Sequence, residues 1–241
     1  MKKFLIIIVG PTAIGKTALS VQLANHFSAE IISCDSRQFY KEMNIGTAVP
    51  SEEELASAPH HFIQNKSIFE NYTVGDFEKE ALSKLEDLFK SDGFVVLVGG
   101  SGLYVNAILQ GFDTFPEINL KIRDEVKLNY EISGLPYLQE KLKETDATYY
   151  NYILENNPQT LQTPQRMMRF VEVGLGSGKP YSSFLNQEKK QRNFNPIIIG
   201  LEGNRDELYQ RINLRVDLMI EQGLVEEARK LYENKNLNAL Q

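Results

Sequence analysis

Residues 10 to 17 read Gly-Pro-Thr-Ala-Ile-Gly-Lys-Thr, directly after the apolar run Phe4 to Val9. A glycine, four residues and then Gly-Lys-Thr is the spacing of a phosphate-binding P-loop. The context is the one that the motif requires, because a buried strand feeds the turn and the helix-forming stretch Ala18 to Phe27 follows it. Gly10 and Gly15 let the backbone turn tightly, so the N–H groups along Thr12, Ala13 and Ile14 can be aimed at phosphate oxygens. Lys16 adds a point charge, and the Thr17 hydroxyl is placed to ligate Mg²⁺. The helix N-terminus favours an anion at the same point. The pattern establishes that a phosphate chain is held. It does not say which bond breaks.

Composition narrows the class. A chain of 241 residues, 42% hydrophobic and 24% charged, is globular, with room for one domain and an insertion or for two small domains. The longest apolar run is about six residues, far short of a membrane span. Met1-Lys-Lys followed by Phe4–Val9 is too short for a signal peptide and leads straight into the glycine loop. A single cysteine, Cys34, rules out an internal disulfide framework and fits a reducing, cytoplasmic setting. The net charge of −6 argues against a generally basic surface that coats nucleic acid, though not against a local basic site. Residues 112–195 carry 11 basic and 11 acidic side chains, which makes them the least acidic part of the chain.

Four apolar runs, Phe4–Val9, Glu30–Ser33, Phe94–Val98 and Pro196–Leu201, read as buried parallel strands. Helical patterns at Val74–Lys90 and Gly102–Leu109 lie between them. Strands alternating with helices predict an α/β fold, a P-loop NTPase-like parallel sheet. Residues 115–195 break the rhythm, with helical patterns at Leu120–Glu131, Pro136–Glu144 and Gln165–Leu175 and no convincing strand. The expected organisation is a discontinuous catalytic core, 1–114 and 196–241, with a helical insertion at 115–195. Asn204–Glu221 and Leu224–Glu233 read as two further helices. The chain stops in the semi-apolar Asn238-Ala-Leu-Gln241 without a closing element, and the expectation is that the natural protein continues.

Asp35 falls just past the end of the second strand, where ligands sit in open parallel sheets. The expected neighbour of that strand is the one feeding the P-loop. A carboxylate there can bind Mg²⁺, cap a helix or act as a general base. Ser36 and Gln38 offer hydroxyl and amide groups for reading a base edge, or are ordinary turn polarity. The third strand ends in Val98-Gly-Gly-Ser-Gly-Leu-Tyr104, with glycines and Ser101 where a hydrolytic P-loop NTPase usually carries a Mg²⁺-linked Asp. Glycines there let another molecule approach the backbone. No Asn-Lys-x-Asp guanine-reading motif is present. Arg166 and Arg169 share one helix face, as do Arg211 and Arg215, which could face the phosphate site; a solvated face is the default for such pairs. His60 and His61 lack the third spaced ligand that a metal site needs.

These pieces, in order, resemble the tRNA dimethylallyltransferase (isopentenyltransferase) family over essentially the whole chain. The residues that carry the resemblance are Gly10–Thr17, Asp35-Ser-x-Gln-x-Tyr40, Met43-Asn-Ile-Gly-Thr-Ala48, Pro59-His-His61 and Gly99–Tyr104. Gln165-Arg-x-x-Arg169 with Glu172-Val173, and Leu208-Tyr-x-Arg-Ile-x-x-Arg-Val-Asp217-x-Met219, complete the set. Ile14 stands where Ser is commoner, Ser101 where Thr is usual, and Val49 where Lys is usual.

The resemblance implies transfer of a dimethylallyl group from dimethylallyl diphosphate to N6 of the adenosine just 3′ of the tRNA anticodon. On that reading the P-loop of Gly10, Pro11, Thr12, Ala13, Ile14, Gly15, Lys16 and Thr17 holds the diphosphate as leaving group, not the ATP that such loops often carry. Thr12 and Arg215 act with it and Mg²⁺ sits at Thr17. Asp35 takes the proton, and Ser36, Arg37, Gln38 and Ser101 hold nearby tRNA groups. Arg123 and the run Gln165, Arg166, Met167, Met168 and Arg169 grip the anticodon arm from a lid. That lid is expected to move without RNA on the connections Phe112–Pro116 and Gln191–Pro196. The expected form is a monomer in the cytoplasm. The main rival is a P-loop kinase of a nucleotide or small metabolite, which leaves Gly99-Gly-Ser-Gly unexplained. A non-catalytic RNA-binding module accounts for neither Lys16 nor Asp35.

Overall fold

Leu5, Ile7 and Ile8 are wholly buried and Ile6 nearly so, because the strand β1 (Phe4–Val9) has neighbours on both edges and helices over both faces. The computed structural model describes residues 2–111, 113, 115–185 and 190–240. Its sheet has the further strands β2 (Ile31–Ser33), β3 (His60–His61), β4 (Phe94–Val98) and β5 (Asn195–Gly200) in the order β3-β2-β4-β1-β5. All pairings are parallel, and the register aligns Ile6 with Val96 on one side and Ile197 on the other. Such strands read as continuous apolar runs because both faces are covered.

The two faces have separate cores. On one, Leu5, Ile7, Val95 and Leu97 meet Phe77, Leu85 and Ile108 from α3 (Val74–Ser91) and α4 (Gly102–Gln110). On the other, Ile6, Ile8, Val96 and Val98 meet Ala24 of α1 (Lys16–Phe27). Each large side chain buried in this way contributes about 1.5–3 kcal/mol. Thr73 opens α3 with a reciprocal capping box to Asp76, which satisfies amides that the helix itself leaves free.

Two sequence expectations change. β4, not β1, neighbours β2, since Leu97 pairs with both Ile32 and Ile7. The connection holding His60 and His61 contributes a two-residue edge strand, and α2 (Glu52–Ser57) forms just before it on a Ser51 capping box. The helical patterns Leu120–Glu131 and Pro136–Glu144 appear as two helices, separated where Gly134 leaves the helical region with φ 68 ahead of Pro136; together they are labelled α5 (Leu120–Thr145).

The chain divides into two compact units, Met1–Phe112 with Lys190–Gln241, and Asp113–Lys189. Residues 190–194 are tied into the first: the Lys190 amide donates to Gln110 O, and Arg192 donates to Glu78 and to the carbonyls of Ala107 and Ile108. The second unit packs α5, α6 (Ala147–Asn156) and α7 (Pro164–Ser177) around Val126, Leu138, Leu142, Ile153, Met167 and Val171. Buried Asp146 caps α6 through the Tyr149 amide, while its other oxygen accepts from the Ser182 amide. The chain then closes with α8 (Arg205–Glu221) and α9 (Leu224–Leu231). Of the expected hinge and chain-end residues, Phe112, Thr114 and Gln241 lie outside the described residues. Among the described residues no helix is long and apolar enough to cross a membrane.

Candidate active site

β1 delivers the chain into the loop through Gly10, whose φ of 153 few L-residues adopt and whose added Cβ would meet Leu201 O at 2.8 Å. Ala13 holds φ 63 and Gly15 φ 104, so the loop amides converge in place of running on as strand or helix. For Ala13 that conformation is strained, which fits a backbone shaped for a ligand. α1 starts at Lys16 with no side-chain cap, leaving its first amides free for an anion. Lys16 Nζ donates to Gly10 O at 3.0 Å and Pro11 O at 2.8 Å, across the mouth of its own loop.

A pocket of about 700 Å³ opens there. Thr12, Ala13 and Gly15–Ala18 line one side, Asp35, Gln38, Gly99 and Gly100 the second, and Ile212, Arg215, Val216 and Met219 of α8 the third. The loop Gly46–Ser51, with Glu54, His60 and Ile63, lines the remainder. The structure thus brings together P-loop residues, Asp35 and Arg215, which lie far apart in sequence. Burial lowers the pKa of Lys16; the nearby Asp35 carboxylate opposes this and Arg215 adds to it. The three charges therefore sense one another.

Asp35 sits half-buried at the carboxyl end of β2. Its Oδ1 accepts from the Arg37 amide at 3.0 Å, which fixes the side chain in a local turn. An ideal Cβ on Gly100 would lie 3.9 Å from Oδ2, so the second oxygen faces the glycine end of β4. At Gly99 a Cβ would meet the Cys34 backbone at 2.6 Å. Only glycine lets β4 end so close to β2, and no carboxylate stands there. Cys34 is fully buried, and burial pushes its thiol up to about 12.

Ser101 Oγ donates to Ser36 Oγ at 3.4 Å, which joins two of the expected tRNA-contact residues. Gln38 is engaged inside the protein: it donates to Thr47 O and Ala48 O and accepts from Ser33, so a base edge would have to displace those bonds. Arg37 is exposed and donates to Ala239 O at 2.7 Å. Arg211 is exposed and is not among the residues lining the pocket, unlike Arg215.

The remaining expected contacts are in the second unit. Gln165 and Arg166 are exposed at the start of α7, and Met168 and Arg169 are half-buried. Met167 is fully buried, so its side chain packs the helix against its own core instead of reaching outward. Arg123 and Arg169 converge on Glu172 at 3.7 and 4.0 Å, and Arg169 lies over the Phe115 ring. Burial raises the pKa of Glu172, and the two guanidiniums pull it back.

Sequence reasoning missed Glu227 of α9, whose carboxylate accepts from three successive backbone amides of the pocket loop. It named Arg215 but missed its apolar pocket-facing neighbours Ile212, Val216 and Met219, although the spacing of three, four and seven positions is that of one helix face.

The family model described as IPP transferase matches residues 38–241. The chain belongs to the IPP transferase family. It is 69% identical over 239 residues to the tRNA dimethylallyltransferase of Flavobacterium johnsoniae, covering 99% of this chain and 77% of that protein. The tRNA dimethylallyltransferase of Christiangramia forsetii is 53% identical, covering 100% of this chain and 78% of that one. Among solved structures, the full-length tRNA isopentenylpyrophosphate transferase of Bacillus halodurans aligns with TM-score 0.63 and 37% identity over 98% of this chain and 72% of its own. A eukaryotic dimethylallyltransferase described as acting on tRNA aligns with TM-score 0.71 and 28% identity over 98% and 57%. Family membership makes the chain a prenyl-group transferase with a P-loop-like α/β fold. The family model begins at Gln38, so it does not itself include the P-loop; the two curated relatives are matched over nearly all of this chain.

Proposed function

We propose that this chain transfers a dimethylallyl group from dimethylallyl diphosphate to N6 of the adenosine 3′-adjacent to the anticodon, position 37, of tRNA. The relatives' names supply the tRNA substrate and the allylic group. The observation that carries the assignment is the pocket itself, where P-loop amides, Lys16, Arg215 and Asp35 meet beside a β4 that ends in Gly99-Gly100. A site built to hydrolyse a nucleotide usually places a carboxylate at that strand end. This one leaves open space next to a carboxylate on the neighbouring strand.

The chemistry follows from the charges. The amine N6 attacks the allylic carbon, the C–O bond breaks with its electron pair leaving on diphosphate, and the amine proton passes to Asp35. Loop amides, Lys16, Thr12 and Arg215 hold the leaving group and stabilise charge as it develops. Thr17, beside the loop and lining the pocket, would hold Mg²⁺ together with diphosphate oxygens and water, the usual arrangement for that ion; when bound, it would supply charge neutralisation on the leaving group. An exocyclic amine is a weak nucleophile, so positioning supplies much of the rate. The base must leave its stack to enter the pocket. Ser36 and Ser101 lie where a neighbouring base or ribose would pass, and Arg37 projects beside them. Gln38 keeps the loop in shape.

Arg123, Gln165, Arg166, Met168 and Arg169 grip the anticodon arm, with Met167 holding their helix in place. Glu172 keeps Arg123 and Arg169 gathered until phosphates replace it. The unit carrying these residues acts as a tRNA lid. The setting is the cytoplasm, consistent with one buried thiol and a tRNA substrate. A monomer suffices, since one chain provides every named group of the site.

The test is label transfer. Dimethylallyl diphosphate labelled in the allyl carbons should label tRNA at one adenosine, and ATP labelled in its terminal phosphate should label neither tRNA nor a metabolite. Phosphoryl transfer from ATP without allyl transfer would overturn the proposal in favour of a kinase.

A further inference from the structure

The wall of the pocket that carries Arg215 is poorly anchored by burial. No residue of α8 is buried, and away from the pocket it exposes Leu214, Leu218 and Ile220. α9 likewise buries none of its residues. With no fully buried residue in either helix, the hydrophobic effect anchors the pair mainly through half-buried Leu231 of α9, and a directional contact must hold the wall against the site.

That holding element is Glu227. Its Oε2 accepts from the amides of Asn44 at 2.9 Å and Ile45 at 2.8 Å, and its Oε1 accepts from Gly46 at 2.9 Å. Three successive amides pointing at one carboxylate form an anion-binding nest, here filled from within the chain. Charge-assisted bonds of this kind are stronger than neutral ones. Packing supports the contact, because a Cβ on Gly46 would lie 3.1 Å from the Leu224 side chain. From the other side Gln38 donates to Thr47 O and Ala48 O, and Thr47 Oγ1 donates to Met43 O. The loop between these two grips supplies Gly46–Pro50 to the pocket, while the hairpin bearing Glu227 supplies Ile212, Arg215 and Met219.

We infer that Glu227 is a positioning residue for the transfer reaction: it latches the α8–α9 hairpin onto the 44–48 loop and thereby sets the place of Arg215 over the diphosphate. This rests on the role given to Arg215 above. Glu227 touches no reacting group; it acts through the wall that it fixes.

The experiment is a double-mutant cycle in the full chain, using dimethylallyl diphosphate and tRNA. Glu227→Ala should lower kcat/KM for the diphosphate by about 10- to 100-fold, the scale of a slight misplacement near the chemistry. KM for tRNA should move less than threefold. Glu227→Gln, which keeps one acceptor oxygen, should fall between wild type and Ala. In an Arg215→Ala background the same Glu227→Ala change should cost less than about threefold, because residues acting as a unit are not additive. Amide exchange should rise at Asn44, Ile45 and Gly46 while β1 and β4 stay protected, which separates a loosened latch from an unfolded protein. Full additivity in the Arg215 background overturns the latch alone. So does unimpaired transfer in Glu227→Ala with those three amides deprotected. An inert Arg215→Ala overturns the role proposed for Arg215 and the latch with it.

Discussion

The two walls of the pocket are held by different physics. The sheet wall, which carries the P-loop and Asp35, stands on Leu5, Ile7, Ile8, Ile32 and Leu97, all fully buried. The α8 wall, which carries Arg215, has no fully buried residue and is held through α9, by one carboxylate on three amides and by half-buried Leu231 against the core. Burial is non-directional and spread over many contacts, so the sheet wall can lose a methyl group and keep its shape. A handful of directional bonds fixes a position just as well but fails all at once. The difference places the P-loop and the proposed base Asp35 on the deeply buried side, and the proposed charge-stabilising Arg215 on the side held by fewer contacts.

The comparison breaks most sharply at Asp35. Asp35→Ala should cut single-turnover transfer by about 10²- to 10⁴-fold, the range for loss of a general base. Its tRNA affinity should hardly change, and near-normal transfer would eliminate the base role. Next comes the core beneath it. Leu97→Ala should lower unfolding free energy by about 2–5 kcal/mol in a denaturant titration, as for other fully buried leucines. A loss under about 1 kcal/mol would show that the sheet wall is less tightly built than its burial implies.

The Arg166→Ala, Arg169→Ala pair probes the second unit. Each lost phosphate contact should remove about one unit from the salt slope of tRNA binding, with allyl diphosphate affinity intact. An unchanged slope takes this unit off the RNA path. Lys16 gives a smaller, pH-dependent effect. Burial lowers its pKa below the ordinary lysine value of 10.5, so its charge is lost at a lower pH than that of an ordinary lysine. The kcat/KM for the diphosphate should therefore begin to fall on the alkaline side before an ordinary lysine would titrate, and Lys16→Arg should push that limb higher. A limb unmoved by the substitution belongs to another group. Smallest of all, Leu214→Ala on the exposed outer face of α8 should stay within about 0.5 kcal/mol, in contrast with Leu97. A large loss would mean that the α8 wall has apolar support after all.

What the sequence made legible divides along the same line. The P-loop could be read because its constraint is local: glycines, lysine and threonine at fixed spacing behind an apolar run. Asp35 and the glycine end of β4 could be placed because parallel strands carry their ligands at their carboxyl ends. The strand order could not, since β1, β2 and β4 are all short apolar runs and nothing in their composition tells which lies in the middle. The break within α5 was legible, because Gly134 and Pro136 two residues apart read as an interruption and Gly134 does leave the helical region. Glu227 was invisible for a stronger reason. Glu226 and Glu227 look like ordinary acidic residues in a helix first turn, and the amides that Glu227 holds lie more than 180 positions away.

Cys34 has a practical consequence. It is the chain's one sulfhydryl, sealed between β2 and Gly99 with its proton held up to about 12. A thiol that stays protonated and out of solvent neither alkylates nor oxidises readily. The native protein should therefore react slowly with maleimides, and a cysteine introduced at exposed Arg166 or Leu214 should be the most reactive handle on the molecule. A fluorophore or spin label could then be set on either region without touching the wild-type thiol, and the motions of the two followed separately.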